Sequence, residues 1–173
     1  KRKKKLANGR EMLTYIHEFR RGGYLPEAMV NFLALVGWSF DAETEFFSRT
    51  ALIERFTLER VNKSPAAFSY DKLDHMNATY IRSLGPSDLA GRLLRVLLDA
   101  GLPADIDQAL QMVPLVRERL KTLPDVLPLV DFVYGDLPEY DAETLIQRKL
   151  DRAGTAAALA AAREALAGLE TFA

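Results

Sequence analysis

Residues 86–101 read Pro86-Ser87-Asp88-Leu89-Ala90-Gly91-Arg92-Leu93-Leu94-Arg95-Val96-Leu97-Leu98-Asp99-Ala100-Gly101. Leu89, Leu93, Val96 and Leu97 recur at spacings of four, three and one, which is an α-helix with one buried stripe. Gly85-Pro86 breaks the chain ahead of it, Ser87 is placed to cap it, and Gly101 follows its end. A half-buried strand needs apolar residues at every second position. No segment of useful length anywhere in the chain has that period.

The same helical spacing extends outward in both directions. Upstream, Leu73, Met76, Asn77, Tyr80 and Ile81 share one face of a helix over 71–84. Before it, residues 57–70 are rich in β-branched residues, aromatics and Ser64-Pro65, and read as an irregular linker. Thr50 is placed to cap a short helix carrying Leu52, Ile53 and Phe56. Pro26 opens a helix through Met29, Phe32, Leu33 and Val36, at the position where a missing N–H costs nothing. Met12, Ile16 and Phe19 mark a first helix that Gly22-Gly23 stops.

Downstream, Ile106, Leu110, Val113, Val116 and Leu120 form another helical stripe, which Pro114 should kink or split. Pro124 and Pro128 frame a helix through Leu127, Val130, Phe132 and Val133. Asp141 can cap one carrying Leu145, Ile146 and Leu150. The last helix, from Thr155, is Ala-rich between Ala156 and Ala167, and alanine is the strongest helix former. The expected fold is all-α, a string of short helices joined by Gly/Pro turns.

Composition narrows the function. The 173 residues suit one ordinary domain or two small ones. With 49% apolar residues, 27% charged residues and a mean hydropathy of −0.08, the chain can build a core. It has no Cys and only two His, His17 and His75, so thiol chemistry, Cys-based zinc and multi-His metal sites are excluded. No metal is expected. The ten Gly are scattered and make no phosphate loop, and no nucleophile elbow occurs. Asp41, Glu43 and Glu45 read as a solvated loop. The chain therefore reads as a binding module, not a self-sufficient enzyme. No apolar run approaches the ~20 residues of a membrane helix and no signal-peptide pattern opens the chain, so a cytoplasmic location is expected.

The net charge of −1 hides an asymmetry. Residues 1–100 hold 16 Lys/Arg against 12 Asp/Glu, whereas residues 101–173 hold 7 against 12. The run Lys1-Arg2-Lys3-Lys4-Lys5 is either a solvated terminus or a phosphate contact.

Two strings carry a family resemblance. The first is Gly23-Tyr24-Leu25-Pro26-Glu27-Ala28-Met29-Val30-Asn31-Phe32-Leu33-Ala34-Leu35-Val36-Gly37-Trp38-Ser39, similar to the helix after the active site of bacterial glutamyl-tRNA synthetases. The second runs from Arg60-Val61 through Lys63-Ser64-Pro65-Ala66-Ala67-Phe68 to Asp71-Lys72-Leu73-Asp74-His75-Met76-Asn77-Ala78-Thr79-Tyr80-Ile81-Arg82. A fainter likeness continues through Pro114-Leu115-Val116-Arg117-Glu118-Arg119-Leu120. Glutaminyl-tRNA synthetases fit less well, because their anticodon region is built from β-barrels.

The resemblance implies an internal piece of a class I synthetase. Lys1-Arg2 look like the last residues of the KMSKR signature loop, and Lys1 would approach the ATP phosphates, with Arg2 beside it. The Rossmann domain and its HIGH signature are absent, so no catalytic residue is expected here and the chain alone should be inactive. Residues 1–84 would hold the end of the signature loop and a helical stem-contact region. Residues 85–173 would hold a helical, cage-like anticodon-binding region, cut short at its carboxyl end. The implied partner is tRNA(Glu), with no DNA and no membrane, and the implied state is a monomer. Two departures stand out: the stretch from Lys3 to Arg21 is longer than usual, and His75 stands where many members have Trp.

The resemblance also ranks the residues. Lys72, His75 and Arg82 can share a helical face, which by spacing alone is an ordinary solvated one. In the family this helix faces the inner side of the tRNA, so all three become tRNA contacts, along with Lys63 and Ser64. Arg117 and Arg119 could be exposed arginines or partners of Glu118, Asp125 or Asp131. The resemblance makes Arg119 the reader of the third anticodon base and Arg117 its close substitute. His17 reads as structural or exposed, Trp38 as core, and Tyr80 as packed or in contact with ribose. The competing reading is a helical protein–protein adaptor without RNA binding, favoured by the acidic, Ala-rich second half.

Overall fold

The computed structural model describes residues 11–63, 66–135, 139–146 and 148–168. Its helices are α1 (Ile16–Arg21), α2 (Pro26–Leu35), α3 (Arg49–Arg55), α4 (Tyr70–Ser83), α5 (Pro86–Asp99), α6 (Ile106–Val116), α7 (Leu127–Tyr134) and α8 (Arg152–Ala167). Short 3-10 turns lie at Leu58–Arg60, Arg117–Arg119, Leu123–Val126 and Ala142–Leu145. An isolated antiparallel bridge joins Trp38 to Val61, and no strand is present among the described residues. The class is all-α.

The chain divides into two compact units, Lys1–Tyr134 and Gly135–Ala173. In the first, Leu89, Ala90, Leu93 and Leu97 line one face of α5 and are fully buried. They meet Ala109, Met112, Val113 and Val116 of α6, and the same core takes in Leu25, Ala28, Ile81 and Leu120. Burying each such leucine stabilises the fold by roughly 1.5–3 kcal/mol. This core runs without a break across Leu84-Gly85. A second cluster joins Phe19, Tyr24, Phe32, Leu73 and Met76, and a third joins Trp38, Phe47 and Leu52.

In the second unit, Asp141 accepts from the Glu143 N–H at 3.0 Å and starts the 3-10 turn Ala142–Leu145. Arg152 pairs with Glu143 at 3.2 Å.

Several helix ends differ from expectation. α3 is capped by Ser48, whose hydroxyl accepts from Ala51 N–H at 3.1 Å, and Thr50 lies inside the helix. α5 starts two residues before Ser87 could act: Gly85 is extended and Pro86 takes the first helical position. α8 begins at Arg152 because the Asp151 carboxylate accepts from Gly154 N–H at 2.7 Å, and Thr155 is buried in its first turn. α1 covers Ile16–Arg21, so Met12 precedes it. The proposed linker does contain one 3-10 turn, Leu58–Arg60, and α4 begins at Tyr70. α6 carries Pro114 inside it and gives way to a 3-10 turn at Arg117, short of Leu120.

Candidate nucleic-acid interface

The site is built on α4 and on the turn that follows α6. Ser69 caps α4, its hydroxyl accepting from Lys72 N–H at 3.2 Å. Leu73, Met76, Asn77 and Ile81 of α4 are fully buried, which fixes the rotation of the helix and turns His75 and Arg82 outward. Beyond α6, Leu120 is 1% exposed and pins the chain into the core. The next residues are held by Asp125, whose carboxylate accepts from Lys121 N–H at 2.9 Å and Thr122 N–H at 2.7 Å. Arg119 is thus projected from a turn fixed on its carboxyl side by a buried leucine and an acidic cap.

These two elements meet in a surface hollow lined by His75, Ala78 and Arg82 of α4 and by Glu118, Arg119 and Lys121. The structure thereby brings together three residues singled out from sequence, His75, Arg82 and Arg119. It adds Lys121, which sequence reasoning passed over because nothing in its string sets it apart. Arg82, Arg119 and Lys121 take part in none of the ion pairs among the described residues. Arg82 is instead steadied by Thr79, to whose hydroxyl its Nη2 donates at 3.0 Å. Asp71 and Asp74 border the same hollow, and Asp74 is the acceptor of the Tyr24 hydroxyl.

The remaining candidates lie elsewhere. Lys72 does not join His75 and Arg82 in the hollow; its ammonium pairs with Glu45 at 2.5 Å. The loop carrying Glu45 is brought to α4 by Asn31, which donates to the Glu45 carbonyl at 3.0 Å and accepts from Phe47 N–H at 2.8 Å. Lys63 is exposed and outside the hollow. Lys1, Arg2 and Ser64 lie outside the described residues. Arg117 and Arg119 diverge: Arg119 is exposed, whereas Arg117 buries Nε and Nη2 without a hydrogen-bond partner. Neither pairs with Asp125 or Asp131, because Asp125 caps the turn and Asp131 accepts from Phe132 N–H at 2.8 Å.

The aromatic candidates sort in the same way. Tyr80 is packed: its hydroxyl lies 2.6 Å from Asn31 Oδ1 and 2.8 Å from the Phe47 carbonyl, and burial raises its pKa. Phe46, 41% exposed, lies against both Tyr80 and His75, with ring centroids 6.1 and 6.4 Å apart. Trp38 is core and His17 is exposed, stacked on Tyr15.

Chemically the hollow sets three cationic side chains, Arg82, Arg119 and Lys121, among three carboxylates, Asp71, Asp74 and Glu118, with His75 at its edge lying against Phe46 outside it. Guanidinium and ammonium donors are the groups that suit phosphate oxygens and the edges of unstacked bases. Among the described residues no group of three or more His, Asp or Glu could hold a metal ion, and no helix is long and apolar enough to cross a membrane.

Comparison with known proteins adds a second line of argument. Residues 1–75 match the family described as tRNA synthetases class I (E and Q), catalytic domain, and residues 88–173 match the anticodon binding domain family. A glutamate–tRNA ligase of Dehalococcoides mccartyi is 45% identical over 160 residues, covering 90% of this chain and 33% of the relative. One of Roseiflexus castenholzii is 46% identical over 162 residues, covering 90% and 32%. The chain thus spans about a third of the length of these relatives. Among solved structures, the glutamate–tRNA synthetase of Elizabethkingia anophelis superposes with a TM-score of 0.72 at 25% identity, over 95% of this chain and 31% of that one. A glutamate tRNA ligase from Elizabethkingia meningosepticum shares the fold, with a TM-score of 0.75 at 24% identity over 97% of this chain and 32% of that one.

Proposed function

Because the chain belongs to the glutamate–tRNA ligase family, we propose that it is the tRNA-recognition portion of such a ligase, an enzyme that attaches glutamate to tRNA(Glu) using ATP. In this reading residues 1–84 contact the tRNA stem and residues 85–173 bind the anticodon. Arg119 reads the third anticodon base through its two-pronged guanidinium, while His75, Arg82 and Lys121 hold the neighbouring backbone. Lys63, Ser64 and Lys72 extend the stem contact, with Lys72 exchanging Glu45 for phosphate. Lys1 and Arg2 would lie beside the ATP phosphates, and ATP would supply the activation of glutamate. The whole enzyme acts as a cytoplasmic monomer.

The observation that carries this reading is the exposed, unpaired Arg119, set on a turn anchored by Leu120 and Asp125 and sharing a hollow with His75 and Arg82. The turn fixes the backbone that carries this arginine, and its planar guanidinium loses little freedom per hydrogen bond it forms, which suits it to base reading.

The test is a titration of the chain with a glutamate tRNA transcript and with one altered at the third anticodon base. Discrimination of ~1–3 kcal/mol is expected, disappearing in Arg119→Ala. Equal affinity for both transcripts would remove Arg119 from the role. Failure to bind either at low salt would remove the tRNA reading itself.

A further inference from the structure

A second hollow lies between the end of α1 and the outer face of α5. Arg20 and Arg21 border it on one side, Arg92 and Arg95 on the other, with Gly23 and Pro124 between them. The geometry points to a second phosphate-binding track, one that takes the sugar–phosphate backbone of RNA where Leu123 and Pro124 follow the turn that carries Arg119. This rests on the tRNA reading above and extends it to residues that reading does not use.

The arginines do not all have the same task. Arg92 is already occupied: it meets Glu27 at 3.0 Å and Asp88 at 2.8 Å. It is a strut that fixes α5 against α2. Arg20, Arg21 and Arg95 enter no ion pair among the described residues. Arg20 and Arg21 sit in the last turn of α1, where the helix dipole favours cations. That local preference does not account for Arg95, which lies mid-way along α5 and points into the same hollow. Asp99, at the end of α5, is the one carboxylate on the border that is outside the Arg92 network. Four arginines against Asp88 and Asp99 leave the lining with a positive excess whatever the net charge of the chain.

Gly91 is the second observation. Glycine inside a helix is unfavourable relative to alanine. No packing demands it here, since a Cβ at Gly91 would meet nothing within 4 Å. Gly91 lines the hollow one turn before Arg95, and without a side chain it leaves room there for a polymer backbone to come close. The lining also contains no aromatic side chain on which a base could stack. A free nucleotide would gain only its phosphate contacts here, whereas a continuous strand crossing from Lys121 over Leu123 and Pro124 gains both hollows.

The experiment uses the chain with three changes: Arg21→Ala/Arg95→Ala together, Gly91→Glu, and Arg119→Ala as reference. Each is titrated with the glutamate tRNA transcript and its third-base variant across a salt series. The double variant is expected to lose about tenfold in affinity at low salt, with a salt slope shallower by roughly one to two, while the ratio between the two transcripts stays as in wild type. Gly91→Glu is expected to weaken binding similarly while melting no lower than wild type, which separates lost binding from lost folding. Wild-type affinity and slope in both variants overturn the track and leave the Arg119 reading standing, even if inorganic tripolyphosphate binds the hollow. Absence of tRNA binding by the wild-type chain overturns both.

Discussion

Asn77 donates through Nδ2 to the Lys121 carbonyl at 2.6 Å, and so ties the middle of α4 to the turn that carries Arg119. The same side chain, fully buried, accepts from Leu25 N–H at 2.8 Å through Oδ1. One amide therefore joins three segments far apart in sequence: the loop before α2, the helix α4 and the turn after α6. A carboxamide suits this post because it supplies a donor and an acceptor without a charge that burial would penalise.

Asn77→Ala should consequently cost about 2–4 kcal/mol, since it leaves a buried N–H and a buried carbonyl without partners and opens a cavity. Urea denaturation of the two proteins checks this. A loss under about 0.5 kcal/mol would mean that neighbouring groups or water replace the bonds.

Gly23 enforces the same junction by shape. It adopts φ +76°, and a Cβ there would fall 2.1 Å from Pro124 Cδ and 2.7 Å from Leu123 N. Its carbonyl accepts from Leu123 N–H at 3.2 Å. Gly23→Ala should thus lower stability by more than the ~1 kcal/mol of a positive-φ site alone, because the turn and the 123–124 segment must also separate. Gly101, at φ +80° with open space around it, supplies the control: Gly101→Ala carries the backbone cost without the clash. Equal melting temperatures for the two variants would contradict the close approach.

The pH dependence of stability has one traceable contributor. The Arg92 guanidinium bonding to Glu27 holds its carboxyl below the ordinary value of 4.5. A depressed folded-state pKa stabilises the fold above the unfolded value, and the gain is lost as pH falls through the lower one. Because Glu27 is 47% exposed, its share is screened to about 0.5 kcal/mol. The gap between wild type and Glu27→Gln should therefore be present at pH 6 and close below pH 4. Chemical denaturation across that range decides it; a gap that does not depend on pH would assign the effect to packing.

Much of the fold was legible because a buried stripe at helical spacing leaves a strong mark, as at Leu89, Leu93 and Leu97. Caps were less so. Ser48 and Thr50, or Gly85 and Ser87, offer competing starts, and the choice depends on where the preceding loop is held. The hollow was half legible. Spacing puts His75 and Arg82 on a common side of α4, but only packing brings Arg119 to them from more than thirty residues away. The pairing of Lys72 with Glu45 was not legible for a related reason: Asn31 fixes the loop of Glu45 beside it, and no local pattern announces that. Arg20, Arg21 and Arg95 were passed over because their common hollow is formed by elements some seventy residues apart.

The divergence of Arg117 and Arg119 gives the sharpest mutational contrast. Arg119 is exposed and unpaired, so Arg119→Ala removes no contact that holds the fold and should change stability by less than about 0.5 kcal/mol. Arg117 instead buries Nε and Nη2 with nothing to accept their protons, a desolvation cost that folding has to carry. Replacing it by a flexible apolar chain of similar length removes that cost and keeps the packing. Arg117→Met should accordingly leave the protein as stable as wild type or more stable by about 1 kcal/mol, read from the urea midpoint at constant slope. A loss above about 1 kcal/mol would show that Arg117 has acceptors in solution, and that its guanidinium is a structural clamp on the turn.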